Sequence, residues 1–398
     1  MTSFERRTAA GLASIFGLRM FGLFLMLPVF AVYGTDLQGA TPALIGLAIG
    51  VYGLTQACLQ IPMGFASDRL GRRPIILGGL LLFAVGSVVA ALSDHIVGVI
   101  IGRALQGGGA IAAAVMALAA DLTAPKQRTM MMAIIGMSVG GAFLLAMILG
   151  PVLVGIGGLA LIFWLSAVLA VVAIVVLYAV VPVPSQQRVH ADAEPVRSQF
   201  GGVLRNPDLL RLDGGIFILH FILTAAFVVL PLMLRDTLSL PVGAHWQVYV
   251  PVLLLSVVAL VPAVMISERR HWHRQVIVAA VVCLTVAQLA LAAGGGAAPV
   301  LLVGLWLWFA AFNVLEATLP SLISRYAPTE SKGTALGVYA TSQFAGAFLG
   351  GLFGGIVHGL GGEAWVFLLC ALGTMAWLVI MRGMGQVPDL RRDAVSEA

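Results

Sequence analysis

Long apolar stretches, each near the length that crosses a bilayer, alternate along the chain with short clusters of charged and turn-forming residues. Twelve can be read: 8–34, 42–66, 74–93, 97–120, 130–156 and 158–182, then 211–235, 244–267, 275–294, 299–323, 333–357 and 363–383. A helix needs about 20 apolar residues to cross the hydrocarbon core. The pattern therefore predicts an all-α membrane protein with 12 transmembrane helices. One internal loop is long, from about Pro182 to Leu210, and it is polar and proline-bearing. It divides the chain into an N-terminal six-helix bundle over 1–182, a cytoplasmic linker over 183–210, and a C-terminal six-helix bundle with a short tail over 211–398.

Composition agrees with this reading. Of 398 residues, 60% are hydrophobic and 10% charged, and a soluble domain of this size needs many more charges to cover its surface. Lys and Arg collect in cytoplasmic loops. With the N-terminus inside, all but three of the 22 fall in cytoplasmic segments; Arg19 and Arg103 lie within spans and Arg235 outside. The expected topology places both termini in the cytoplasm of a bacterial inner membrane. The net charge of +5 then reflects topology, and nucleic-acid binding need not be invoked. The apolar start is not read as a signal peptide, being too long and without a convincing cleavage site. Cys58, Cys283 and Cys370 sit singly in different spans, so neither a disulfide framework nor a metal site is expected. No cofactor is implied.

The halves repeat each other at an offset near 200. Leu27-Pro28 matches Leu230-Pro231, Pro62 matches Pro262, and Ser67-Asp68-Arg69 matches Ser267-Glu268-Arg269. Ala124-Pro125 matches Ala327-Pro328, with Arg128 opposite Lys332. Parallel repeats of this kind place a substrate site between the halves near the midplane.

Between spans 2 and 3 the chain reads Gly64-Phe65-Ala66-Ser67-Asp68-Arg69-Leu70-Gly71-Arg72-Arg73. Gly64 lets another helix approach the end of span 2. Asp68 can accept from an arginine or from the positive N-terminus of a helix, and span 11 begins on the same face. Gly71 permits a tight turn, Arg72 and Arg73 are expected near the headgroups, and Asp121 is a candidate mate for Arg72. The bland alternative, that these arginines only enforce topology, leaves Gly64, Asp68 and Gly71 unexplained. The loop resembles the signature loop of the major facilitator superfamily. That resemblance implies a latch made of Asp68, Arg72 and Asp121, with span 11 as its catch, joining the halves when the cavity faces outward. Glu268-Arg269-Arg270 looks like a degraded copy without the glycines.

Further stretches narrow the resemblance. Gly102-Arg103-Ala-Leu-Gln106-Gly107 is similar to the buried-arginine motif of proton-linked facilitators. Gly150-Pro151 is similar to part of the antiporter motif, with Ala146 at one glycine position. The run through Arg19, the pattern through Glu316, and Tyr339-Ala-Thr-Ser-Gln343-Phe are similar to the YajR branch of bacterial drug exporters. The extra soluble C-terminal domain of that branch is not expected here.

Ionisable groups in hydrocarbon need a partner or a water-filled cavity. Arg19 in span 1, Arg103 in span 4, His220 in span 7 and Glu316 in span 10 stand out, on helices that line the cavity in the family. Glu316 is read as the only carboxylate well inside a span, with Asn313 three residues earlier on the same face. A carboxyl poised between desolvation and a nearby cation can load and release a proton. A fixed ion pair with Arg19 or His220 is the structural alternative. His220 and Arg103 could equally be packing groups, Arg19 could hold an anionic substrate, and Gln56 and Gln60 are weaker candidates.

Three signals are discounted. Gly136-Met-Ser138-Val-Gly140 fits a hydrolase elbow but falls inside an apolar span, so it is read as helix packing, like Gly346, Gly350 and Gly354. His271-Trp272-His273 is read as an interfacial anchor. Trp306, Trp308, Phe309 and Phe312 are read mainly as packing. The chain is thus expected to be a monomeric transporter, not an enzyme, that works in the lipid bilayer by rocker-switch alternating access. Its partners would be a small apolar or amphipathic molecule, exported, and protons. The runner-up is proton-linked or uniport uptake of a metabolite such as an organic anion.

Overall fold

A computed structural model describes residues 1–184, 192, 194–294 and 296–385. Apart from one backbone bridge between Gln38 and His95, all regular structure among them is helical. Nine helices are long and apolar enough to cross a membrane, and two of these, Met130–Ala179 and Lys332–Met381, are double spans. Ser3–Phe24 supplies the remaining one, so the total is 12. Spans 1 to 4 are Ser3–Phe24, Pro42–Leu70, Arg72–Ala91 and Ile96–Asp121. Spans 5 and 6 share Arg128–Ala179. Spans 7 to 12 are Pro207–Leu238, Trp246–Arg270, His273–Gly294, Ala298–Tyr326, Lys332–Gly361 and Glu363–Met381.

The interruptions have local causes. Span 1 ends ten residues before its expected limit of 34 because Pro28 offers no N–H and opposes a continuing helix. The chain passes through tight turns, Leu27 N–H to Phe24 at 3.0 Å and Val29 N–H to Met26 at 3.1 Å. It then resumes a short helix at Phe30–Tyr33. Pro231, its counterpart, is instead carried inside span 7. Spans 5 and 6 separate at Gly157 and Gly158, the latter at φ +63°, a conformation that glycine adopts without strain. Span 4 is broken between Gly108 and Ala112. There Gly107 rests on the Tyr52 carbonyl and Gly109 on the Gly79 carbonyl.

The packing repeats as the sequence does. Span 3 lies on span 4, span 2 on span 4, and span 3 on the span 5–6 helix. In the second half span 9 lies on span 10, span 8 on span 10, and span 9 on span 12. The face bearing Gly64–Arg73 is called the loop face below.

Span 11 joins the halves through backbone-to-backbone contact. On span 2, Gly46 meets Gly351 and Gly355, while Gly50 and Gly53 meet the Phe348 and Phe344 carbonyls. On span 7, Gly346, Gly350 and Gly354 meet Phe217, Phe221 and Ala225, the close approach expected of four-residue glycine spacing. Gly136 and Gly140 do not behave this way: nothing lies within 4 Å of a Cβ at either. The segment around Ser138 is helical, but its glycines pack on nothing there.

Gly50→Val puts a branched side chain where a Cβ would lie 2.5 Å from the Phe348 carbonyl. Overpacking of this kind costs about 1–3 kcal/mol. Thermal unfolding in detergent should show a lower midpoint for this variant and no change for Gly140→Val.

Candidate functional site

Polar groups in the middle of the spans form two separate clusters, one in each half. In the first, Arg19 is fully buried between aromatic rings, its guanidinium carbon 5.6 Å from the centres of both Tyr52 and Phe83. Its Nη2 donates to Gln56 Oε1 at 2.8 Å, and Gln56 donates to Gln60 at 2.7 Å. Among the described residues Nε and Nη1 of Arg19 have no acceptor in good hydrogen-bond geometry, with the Tyr52 hydroxyl as their one polar interaction. Arg103 covers the same Tyr52 ring at 5.2 Å, but each of its three nitrogens has an acceptor. It donates to the Ala48 carbonyl (3.3 Å), the Ile49 carbonyl (3.5 Å) and Gln106 Oε1 (2.8 Å), and Gln106 donates to Ser87 (2.7 Å). Arg103 therefore clamps span 4 to the backbone of span 2. Tyr52, shared by both cations, carried no signal in the sequence beyond its place in an apolar run.

In the second half, His220 Nε2 lies 2.7 Å from the Gln343 amide nitrogen and 3.9 Å from Glu316 Oε2. The amide can donate to a neutral ring or turn its oxygen toward a protonated one, so Gln343 serves either state of His220. The Glu316 side chain is 38% exposed although it sits mid-span, while its Oε2, the atom nearest His220, is buried and has no hydrogen-bond partner among the described residues. Among the described residues no ion pair joins Glu316 to Arg19. Asn313 does not turn to Glu316: its amide donates to Ser256 of span 8 at 2.6 Å. Trp308 and Phe309 are fully buried, with Trp308 stacked on Phe312 at 5.3 Å; they are packing.

Glu316 is not the only carboxylate inside a span. Asp213 lies in the second turn of span 7, 5% exposed, and among the described residues neither of its oxygens has a hydrogen-bond partner. In the sequence Asp213 looks like a boundary residue, because the apolar run there begins at 211. It lies seven residues, two helical turns, before His220 and so shares its face.

The loop-face cluster centres on Arg72, which is 1% exposed and so not at the headgroups. It bonds Asp68, Ser67 Oγ (2.8 Å), Asp121 Oδ2 (3.4 Å) and both carboxylate oxygens of Glu194 (2.8 Å each). Arg73 is also anchored inward, donating to the Leu177 carbonyl at 2.7 Å and covering the Tyr178 ring at 4.8 Å. Arg69 alone of the three is exposed. Gly71 makes the turn at φ +97°, a left-handed value that suits glycine. Gly64 faces Ala113 of span 4 and Pro195 rather than span 11. The segment Glu194–Val196 stands between the loop and span 11, where direct contact was expected. Glu194 belongs to a polar linker and could not be told from a solvated residue in the sequence.

In the second half the degraded copy keeps part of this geometry. Ser267 Oγ lies 2.7 Å from His273 Nδ1, and Arg325 pairs with Glu268 at 2.7 Å. His273 is thus buried and bonded, not an interfacial anchor. Among the described residues no three His, Cys, Asp or Glu side chains are arranged to hold a metal ion.

A model of the Major Facilitator Superfamily matches residues 12–351. The chain is 47% identical over 388 residues to the inner membrane transport protein YajR of Escherichia coli (strain K12), covering 98% of this chain and 85% of that one. It is 23% identical to the multidrug resistance protein MdtH of Aeromonas salmonicida (strain A449), over 93% and 94% of the two chains. Among solved structures, a bacterial homologue of the human lysosomal transporter Spinster, inward-facing and occupied, superposes with a TM-score of 0.75 at 15% identity. That match covers 96% of this chain and 95% of the other.

Removing Arg72 strands buried carboxylates, whereas removing Arg69 does not. Arg72→Ala should lower stability by about 3–5 kcal/mol and Arg69→Ala by less than about 0.5 kcal/mol. Denaturation of the two purified variants in detergent would separate a structural hub from charges that only set topology.

Proposed function

The chain belongs to the Major Facilitator Superfamily, and from that premise we propose that it is a proton-coupled exporter of small apolar or amphipathic molecules. It is a multi-pass membrane transporter and not an enzyme. Within that class the finer reading rests on one observation. Glu316 holds a carboxyl in mid-span, 3.9 Å from a histidine and, among the described residues, in no ion pair with an arginine. A carboxylate in that position is costly unless neutralised, so it takes up a proton when it is open to the acidic side and gives it up when access changes face. His220 and Gln343 supply the polar partners that steady both states. Arg103, locked to three acceptors, holds the first half rigid while this happens.

In the proposed topology both termini and the loop face are cytoplasmic, the protein sits in the bacterial inner membrane, and one chain is the working unit. Drug export finds support in the likeness to MdtH, a multidrug resistance protein. One observation favours a second reading, uptake of an organic anion: among the described residues no carboxylate pairs with Arg19 and its Nε and Nη1 lack an acceptor in good geometry, so an anion would suit them.

In everted vesicles, an amphipathic dye accumulated by the wild-type protein should be released when the proton gradient is collapsed. Glu316→Gln should fold normally and accumulate none. Dye accumulation by that variant equal to wild type would remove Glu316 from coupling. Uptake of an organic anion by whole cells, lost in Arg19→Gln, would favour the second reading.

A further inference from the structure

The described part of the linker is built into the loop face, bonded to both halves at once. On the first-half side, Glu194 places a side chain only 4% exposed against Arg72, with both of its oxygens 2.8 Å from Nη2. Asp192 adds a second contact, its carboxylate 3.0 Å from Arg128 Nη1 at the start of span 5. On the second-half side, the Val196 N–H donates to Thr334 Oγ1 at 2.8 Å, and that hydroxyl reaches back to the Val196 carbonyl at 3.4 Å. Gly333 lies so close to the Glu194 backbone that a Cβ there would overlap it. Pro195 fills the space between Gly64 of span 2 and Gly337 of span 11, 4.0 Å and 3.0 Å from where their Cβ atoms would be.

We propose that Glu194–Val196 is a removable wedge whose binding closes the loop face and whose release is required for the halves to part there. Spans 2 and 11 touch directly through glycines away from this face, but near it the segment comes between them. An anionic residue suits the place. Arg72 offers charge-assisted bonds, and the N-terminus of span 11, a helix of 30 residues with no side-chain cap, lies beside the Glu194 backbone at Gly333. The three carboxylates around Arg72 divide the work: Asp68 and Asp121 hold the arginine, and Glu194 carries the connection across to the other half. The wedge is independent of whether Glu316 moves a proton, because its bonds involve neither Glu316 nor His220.

The test uses the full chain in nanodiscs, with its three cysteines replaced and spin labels at L70C and E330C, two exposed positions on opposite sides of the wedge. Distances between the labels report opening of the loop face. Charge-assisted hydrogen bonds of this kind shift such equilibria by roughly tenfold or more. Glu194→Gln, nearly isosteric, should raise the ratio of long to short distances by about that factor. Thr334→Val, which keeps every charge, should shift it in the same direction. Glu316→Gln should leave the shift caused by Glu194→Gln intact, which separates this proposal from the coupling reading. Unchanged distributions in both Glu194→Gln and Thr334→Val would overturn the wedge. So would a shift in Glu194→Gln with none in Thr334→Val, since the segment would then not tie the halves. If Glu194→Gln fails to fold, Thr334→Val alone decides.

Discussion

Burying one guanidinium in a membrane protein is costly unless every face of it is satisfied, and the loop face is organised around doing that for Arg72. Asp68 arrives from the preceding helix end, Asp121 from the end of span 4, and Glu194 from the linker. Each brings its own segment with it, so satisfying a single cation fixes where three parts of the chain meet. The second half shows what happens without it. His273 occupies the matching place beside Ser267, and the cation moves to Arg325, whose partner Glu268 is 49% exposed. Exposed pairs of that kind contribute little. The related halves therefore differ in function at the same point in their fold: one holds a buried junction, the other a surface pair.

The mid-span groups divide in a similar way. Arg19 and Arg103 share the Tyr52 ring, and Arg103 is tied to main-chain carbonyls whose positions depend on helix geometry alone. His220, Gln343 and Glu316 come from three helices, 7, 11 and 10, and rest on side-chain contacts. Contacts between side chains adjust to a change of protonation more readily than bonds to a helix backbone do. Rigidity thus collects in the first half and adjustability in the second.

Much of the fold was legible because lipid enforces a simple rule: apolar runs of spanning length become helices. The break at Gly157–Gly158 falls where the run was divided, since two adjacent glycines interrupt a helix cheaply. The end of span 1 was misjudged because Pro28 sits among residues as apolar as the helix before it, and hydropathy does not register a missing N–H. Arg73 was assigned to the headgroups by charge, whereas the carbonyl and ring that hold it come from the end of span 6, about a hundred residues away. Asp213 and Glu194 were missed for opposite reasons. One looked like the edge of a span, the other like any solvated linker residue, and only long-range contacts distinguish them.

The glycine contact between spans 2 and 11 has a mechanical side. Where Gly46, Gly50 and Gly53 meet Gly351, Phe348 and Phe344, one surface is bare backbone and few knobs interlock with holes. Two such cylinders can roll on each other while keeping most of their contact, as in a plain bearing. Side chains thus offer little resistance to rolling where these two helices touch, and the ionic bonds of the loop face, at the other end of span 2, are what a rolling motion has to break.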